Sequence, residues 1–332
     1  MILTLTLNPS IDRTVELVAP LQRGAVQRAG AAAEEAAAGK GVNVTRVLSA
    51  AGVPSRAIVV SGAHDRFASL LDADGVDAVL VPGDAPVRTN LSLTEADGTT
   101  TKVNEPGAPL AARAIAAVLA EVRAHAAAAE WLVIAGSLPI GARPELIVEV
   151  VEAARAARPG IRIAVDTSGA PLAAAVAGGG IDLAKPNEEE LEELLGLAHG
   201  AIDGPAAAAA AARALVQLGV GTVLLTLGAS GAMLADTTGV LHATPPPTAV
   251  RSTVGAGDAS LAGWLIAHAR GDDSSGRLQQ AVAHGSAAAA MPGTGFPTPE
   301  DADASRVAVR SIEAPRPTTP DPAAPVARHQ EH

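Results

Sequence analysis

From residue 110 to 227 the chain alternates helical and extended segments with few interruptions. Amphipathic or alanine-rich stretches at 110–129, 143–158, 171–177, 187–195 and 205–219 read as helices. Short apolar runs at 131–134, 163–166, 183–185 and 223–227 read as the strands between them. A strand that feeds a helix and then another strand pairs in parallel, and both faces of such a sheet need helical cover. The expected fold class is therefore α/β, with a mainly parallel central sheet. Upstream, 2–7, 57–61 and 78–81 read as further strands, and 39–51 and 67–74 as helices. Downstream, 232–235 and 239–243 form a short hairpin around Asp236-Thr237-Thr238, and two helices, 256–269 and 276–291, close the unit. No internal repeat is visible.

Residues 89–103 break the pattern. Polar and apolar residues alternate on both sides of Ala96-Asp97-Gly98, and Asp-Gly between alternating runs signals a hairpin. With weak strands expected across 13–28, this hairpin suggests a small sheet standing apart from the parallel core. After about residue 311 the sequence turns Pro- and Ala-rich and is read as a disordered tail, 311–332, behind one domain at 1–310.

Composition narrows the function. The chain of 332 residues is 48% apolar but only 1% aromatic, so its core must be Ala, Val, Leu and Ile. It has no cysteine, which excludes disulfides, thiolate catalysis and Cys-based metal sites. The histidines show no metal-ligand spacing, so zinc is not expected. No apolar run approaches a membrane span, and the N-terminus alternates like a strand without a basic leader, so a cytoplasmic location is expected. A net charge of −11 argues against nucleic-acid or anionic-membrane partners. A polyanionic ligand then needs local cations. Only three of the 24 basic residues are lysines: Lys40, Lys102 and Lys185. In a chain that otherwise uses Arg, these mark places where a compact ammonium is wanted, or they are chance survivors on the surface.

The segment with most chemical content is Thr253-Val254-Gly255-Ala256-Gly257-Asp258, which opens a helix. A small-residue turn at a helix N-terminus presents bare N–H groups to an anion. A carboxylate there opposes anion binding, unless Asp258 takes a proton from a hydroxyl that attacks the bound phosphate; the alternative is a plain capped helix start. Asp12, at a strand end, is a candidate for sugar hydroxyls or a turn former. Gly39-Lys40-Gly41-Val42-Asn43 is a glycine-flanked cation opening a helix, and it is not a Walker A loop. Arg88 is a phosphate fork or a solvated strand start. Gly136-Ser137 ends a buried strand, as a ligand approach or a turn. Asn187 and Glu190 have capping-box spacing, with a hydrated magnesium as the second reading. Thr226, Gly228, Ser230 and Gly231 follow a strand and suit nucleotide contacts.

Taken in order, Gly39-Lys40-Gly41-Val42-Asn43, Gly136-Ser137-Leu138-Pro139, Lys185-Pro186-Asn187 and Gly255-Ala256-Gly257-Asp258 resemble the ribokinase-like, or phosphofructokinase-B, sugar kinases over nearly all of residues 1–300. Thr6 to Asp12, Arg88-Thr89-Asn90 and Thr101 to Gly107 resemble the branch that holds the 1-phosphofructokinases and tagatose-6-phosphate kinases. The resemblance implies a three-layer α/β/α sandwich with a small β-sheet lid (about 12–30 and 88–104), and ATP and Mg2+. It implies phosphorylation of a ketohexose phosphate, fructose 1-phosphate above tagatose 6-phosphate or fructose 6-phosphate. A monovalent cation is compatible with it. It implies Asp258 as general base and Gly255, Ala256 and Gly257 as anion hole. Asp12, Gly39, Lys40, Asn43, Asn90 and Ser137 would hold the sugar, and Arg88 and Lys102 its phosphate. Lys185, Asn187, Thr226, Gly228, Ser230, Gly231 and Gly257 would meet the nucleotide, and Asn187 and Glu190 the metal through water. A homodimer through the lid is expected. Three positions depart from the family: Ala38 replaces a Gly, Ser92 a Lys, and Ser260 a bulky residue. Competing readings are a kinase of unphosphorylated sugars or nucleosides, against which Arg88 and Lys102 argue, and a non-catalytic sugar-phosphate sensor, against which Asp258 argues.

Overall fold

The strand–helix alternation closes, in a computed structural model, into a ten-stranded sheet with helices on both faces and a separate four-stranded sheet. The structure describes residues 1–62, 65–97, 99–291, 293 and 295–312. In chain order the elements are β1 (Ile2–Thr6), β2 (Ser10–Glu16), β3 (Glu34–Ala38), α1 (Lys40–Ala50), β4 (Ser55–Val60), α2 (Arg66–Ala73), β5 (Ala78–Val81), β6 (Arg88–Thr94), β7 (Thr100–Asn104), α3 (Ala112–Ala126), β8 (Trp131–Ala135) and α4 (Leu146–Ala157). There follow β9 (Arg162–Asp166), α5 (Gly169–Gly178), β10 (Leu183–Ala184), α6 (Glu188–Leu195), α7 (Gly204–Gln217), β11 (Thr222–Thr226), β12 (Ala232–Asp236), β13 (Gly239–Thr244), α8 (Ala256–Arg270), α9 (Ser274–Ala290) and β14 (Ala308–Ser311).

The large sheet runs β14-β13-β12-β11-β10-β9-β8-β1-β4-β5. From β11 to β5 every pairing is parallel, and β12, β13 and β14 add an antiparallel edge. Side-chain alternation along β8 divides the core. Leu132 and Ile134 pack with Val118 and Val122 of α3 and Val150 of α4. Trp131 and Val133 pack with Val44 and Val47 of α1 and Leu261, Trp264 and Leu265 of α8. The two tryptophans meet edge to face with centroids 5.5 Å apart, and His268 stacks on Trp264.

The small sheet runs β3-β2-β6-β7. The hairpin expected at 89–103 is its β6–β7 pair, antiparallel as anticipated. The strands expected across 13–28 are corrected. Strand β2 starts earlier and stops at Glu16, followed by a single bridge between Leu17 and Ala29. The partner strand is Glu-Glu-Ala-Ala-Ala at β3, which carries no alternation for a sequence reading to detect. At the other end β14 runs to Ser311, and the Ile312 N–H donates to the Val240 carbonyl at 2.8 Å. The rest of the expected tail, 313–332, lies outside the described residues.

Helix α8 lies close on α9. A Cβ on Gly263 would stand 2.5 Å from the Gln280 carbonyl oxygen, which is backbone and cannot step aside. Helix propensity alone favours Ala over Gly by about 1 kcal/mol. Gly263→Ala is nevertheless expected to destabilise the protein by about 1–3 kcal/mol through overpacking, read from the urea midpoint. An unchanged or higher midpoint would mean that the two helices do not approach this closely.

Candidate active site

The order of the large sheet reverses at β1, whose neighbours are β4 on one side and β8 on the other. In open α/β sheets ligands bind beyond the carboxyl ends of the strands at such a reversal. Here Asn8 follows β1 and Ser137 follows β8, and Asn8 Nδ2 donates to Ser137 Oγ at 3.1 Å. Asp166 ends β9, Lys185 follows β10 and Thr226 ends β11, so the residues that approach the crevice do so from one edge.

Helix α8 points its N-terminus at the same edge. Gly255 caps it at φ 75, a left-handed conformation that glycine adopts without strain. Asp258 lies in the first turn, 6% exposed. Asn43 Nδ2, from α1, donates to Asp258 Oδ2 at 2.8 Å. Burial pushes the Asp258 carboxyl up to about 6, with Asp166 adding to the effect, while the Asn43 hydrogen bond, Lys40 and Lys185 pull it back down.

Asp166 is fully buried between two of the three lysines. Lys40 Nζ is 2.8 Å from Oδ1 and Lys185 Nζ is 3.2 Å from Oδ2. Burial pushes Asp166 up, but Lys185 and Lys40 outweigh it and hold the carboxyl below its ordinary value. Asp166 in turn raises Lys40 well above the usual lysine value, against the opposing effect of burial. Counted at their formal charges, the two lysines and Asp166 together carry one net positive charge. A Cβ on Gly257 would lie 3.2 Å from Lys185 Nζ, so the turn at the start of α8 rests directly on that ammonium.

The glycines around Lys40 have a structural purpose. Gly39 sits at φ 136, and a Cβ there would be 2.6 Å from Thr6 Cγ2; one on Gly41 would be 2.5 Å from Thr6 Oγ1. The end of β1 comes close to this turn, so Gly39 shapes the turn that presents Lys40.

One face of the small sheet supplies polar groups. Asp12 Oδ1 accepts from Ser10 Oγ at 2.8 Å and from Asn90 Nδ2 at 3.0 Å. The amide oxygens of Asn43 and Asn90 are buried and find no donor in the protein among the described residues. A buried acceptor without a donor is costly, and a polyol's hydroxyls are suited to fill such positions. Three of the five N–H groups of Arg88 have protein acceptors. Its guanidinium donates to the carbonyls of Asn8, Pro9 and Glu105, so it ties the end of β1 to the segment after β7. Burial lowers its pKa against the pull of Asp12 and Glu105. Lys102 stands opposite Ser92 on the same face, exposed. The cation absent at position 92 thus has its cross-strand neighbour at 102.

Beyond α8 a cleft of about 760 Å³ is lined by Asn187, Thr226, Gly228, Gly231 and Gly257, with Pro245, Pro246 and Pro247 along one wall. Ser230 does not line it; its carbonyl accepts from His242 Nε2 at 2.9 Å instead. Asn187 and Glu190 form a complete capping box, in which Asn187 Oδ1 accepts from the Glu190 N–H and Glu190 Oε2 from the Asn187 N–H. The Asn187 amide oxygen is committed to the helix, which leaves Glu190 Oε1. Among the described residues no group of three or more His, Asp or Glu side chains is arranged to hold a metal.

Residues 5–301 match the profile of the pfkB family carbohydrate kinases. The chain belongs to that family. This pfkB kinase is 38% identical over 273 residues to the 1-phosphofructokinase of Xanthomonas campestris pv. campestris, covering 80% of this chain and 83% of that protein. It is 37% identical to the 1-phosphofructokinase of Rhodobacter capsulatus, covering 90% and 93% of the two chains. The crystal structure of phosphofructokinase-2 from Escherichia coli in complex with potassium is similar at TM-score 0.84 and 32% identity, over 91% of this chain and 96% of that one. The same Escherichia coli protein has also been solved in a tetrameric inhibited form. The three-layer arrangement is the ribokinase-like fold.

Sequence reading missed Asp166. The signal was present, since it is an acid closing a buried strand at the carboxyl edge, the rule that singled out Asp12. Asn8 was also missed, being one polar residue among several in a turn. The Asp258 carboxyl of this pfkB kinase binds its proton more tightly in the fold than in the unfolded chain. It therefore adds stability that is complete below its ordinary value of 3.8 and lost as pH rises through about 6. Asp258→Asn is expected to raise the melting temperature at pH 8 and to leave it unchanged at pH 4, the gain being on the order of 3 kcal/mol. Equal melting at both pH values would show that Asp258 is not held in this environment.

Proposed function

We propose that this kinase transfers the terminal phosphoryl group of ATP to fructose 1-phosphate, giving fructose 1,6-bisphosphate. The observation that carries the reading is Asp258. It is buried, oriented by Asn43 and set into the N-terminus of α8, over a lysine pair that leaves one net positive charge. Only a group that must accept a proton gains from that placement. The acceptor hydroxyl gives its proton to Asp258 as its oxygen bonds to the γ-phosphorus and the bond to the β-phosphate oxygen breaks. The N–H groups of Gly255, Ala256 and Gly257, with Lys185 beneath them, hold the negative charge of the moving group. Asp12, Asn43 and Asn90 receive the sugar hydroxyls, with Lys40 and Ser137 beside them. Lys102 takes the phosphate that the sugar already bears, while Arg88 braces the loop around it. Thr226, Gly228, Gly231 and Asn187 border the nucleotide.

Mg2+ keeps several waters and few protein ligands, which suits the free Glu190 oxygen as a water-mediated contact. When bound, it neutralises phosphate charge. A monovalent cation belongs in the assay because the related Escherichia coli structure contains potassium. The likeness to that phosphofructokinase-2 favours one second reading, fructose 6-phosphate as acceptor. A homodimer through the small sheet is supported by its outer face. There Leu91 pairs with Val103, and Val103 is 55% exposed. A cytoplasmic location completes the reading.

An ATP-consumption assay with fructose 1-phosphate, fructose 6-phosphate, tagatose 6-phosphate, ribose and adenosine tests it. Fructose 1-phosphate is expected to give the highest kcat/KM; activity on ribose or adenosine alone would overturn the assignment. Asp258→Asn is expected to lower kcat by about 10²- to 10⁴-fold while ATP still binds. The base works only deprotonated, so kcat/KM should fall about tenfold per pH unit below about 6. A flat profile from pH 5 to 8 would rule Asp258 out. Lys102→Ala removes a charge-assisted contact worth roughly 1.5–3 kcal/mol, so KM for fructose 1-phosphate should rise about 10- to 100-fold with kcat little changed. An unchanged KM would place the sugar's phosphate elsewhere.

A further inference from the structure

The turn that opens α8 has no side-chain cap to hold it. Gly255 is the N-cap residue and offers only backbone. An aromatic ring from beyond α9 lies against it, since a Cβ on Gly255 would stand 3.5 Å from Phe296 Cε1. We propose, on the reading of Gly255 to Gly257 as the anion hole, that Phe296 and Arg46 are positioning residues that clamp this turn to the sugar side of the site.

Arg46 supplies the other half of the clamp. Its Cζ lies 4.6 Å from the centroid of the Phe296 ring. Other elements fix the guanidinium in that place. Nη2 donates to the Ala37 carbonyl of β3 at 2.9 Å and pairs with Asp74, just past α2. The side chain is largely buried, and Nη1 finds no hydrogen-bond acceptor among the described residues. The face of an aromatic ring carries partial negative charge, and a cation against it gains more where water is excluded. Phe296 thus offsets the part of the guanidinium charge that no oxygen meets.

The place of Arg46 on α1 gives the contact its consequence. Arg46 stands three residues after Asn43, a spacing that puts both on one helix face. Asn43 donates to Asp258 at 2.8 Å, and Arg46 reaches the Gly255 turn through Phe296. Helix α1 therefore holds the base by a hydrogen bond and the anion hole by a stacked ring. Through Ala37 the same guanidinium joins the turn to the small sheet, which carries Asp12 and Asn90. The attacking hydroxyl and the phosphoryl group must be brought into line, and a misplacement of about 1 Å costs on the order of 10²-fold in rate. Phe296 also borders the apolar core between α1 and α8. A side chain that only filled space there would be replaceable by another hydrocarbon, whereas a clamp needs the ring face.

Phe296→Leu keeps the hydrocarbon and removes the ring. It is expected to lower kcat with ATP and fructose 1-phosphate by about 10- to 100-fold, with both KM values little changed. Arg46→Lys keeps a charge beside Asp74 but loses the planar face, so combining it with Phe296→Leu should cost no more than the larger single loss. Wild-type kcat in Phe296→Leu, or losses that multiply in the double variant, would overturn the inference and leave the kinase assignment intact. Calorimetric titration separates positioning from a general defect. Phe296→Leu should weaken the binding of ADP with Mg2+ and aluminium fluoride, a mimic of the moving phosphoryl group, by about tenfold or more while ADP with Mg2+ alone binds as before. Equal weakening of both would make Phe296 a structural residue only. If the wild-type chain phosphorylates no sugar phosphate, the kinase assignment fails, and this titration still decides the inference.

Discussion

A carboxylate buried at the end of β9 is tolerable only because two ammonium groups close on it from different parts of the chain. Asp166 holds Lys40, at the start of α1, and Lys185, just past β10. Removing one partner of a buried pair costs about 3–5 kcal/mol, because a charge is then left without compensation. The start of α1, the carboxyl edge of the sheet and the turn beneath α8 are thus fixed relative to one another by one electrostatic knot. The Asn43 amide, on α1, reaches Asp258 because of that fixed geometry.

The knot also bears on the conflict within Thr253 to Asp258. An anion site containing a carboxylate would defeat itself if the carboxylate were fully charged beside the bound phosphate. Burial and the neighbouring Asp166 push Asp258 up to about 6, and the Asn43 hydrogen bond, Lys40 and Lys185 stop it from going higher. At neutral pH the group is mostly ionised, and its raised value makes it a stronger proton acceptor than an ordinary carboxylate, which is what a general base requires. The Asp258 side chain is directed to Asn43 and not to the N–H groups of the turn, of which Ala256 donates to the Thr253 carbonyl at 3.4 Å and Val254 to Ser252 Oγ at 3.2 Å. Desolvation makes the base, and the lysine pair balances the two carboxylates of the site within a chain of net charge −11.

Much of this was legible because it is periodic or local. The parallel sheet follows from strand–helix alternation, and the capping box from Asn187 and Glu190 three residues apart. The β6–β7 pair follows from Asp-Gly between alternating runs. What escaped is non-local or without pattern. Strand β3 is Glu-Glu-Ala-Ala-Ala, which pairs with β2 because of where α1 begins and not because of its own preference. Asp166 has no motif around it; its meaning comes from two lysines more than a hundred residues and nineteen residues away, which only the fold brings together. The engagement of Arg88 and of the Asn187 amide was invisible for the same reason. A side chain's chemistry can be read from its name, but the partners that use it up cannot.

The scarcity of lysine shows where such reasoning reaches and where it stops. Two ammoniums share one buried carboxylate at 2.8 and 3.2 Å, and Gly257 packs on one of them. Two planar guanidiniums of greater bulk do not fit that space, and arginine at 185 would drive into the turn that opens α8. Lysine at 185, whose side chain is 5% exposed, is therefore dictated by packing as much as by charge, while Lys40 is held by its contact with Asp166. Lys102 stands exposed on β7, where arginine would fit equally well. Its claim to a phosphate rests on position alone, opposite Ser92 and on the same face as Asp12 and Asn90. The same residue type is thus explained by volume in the buried knot and by register on the small sheet, so the rarity that drew attention to all three accounts for only two.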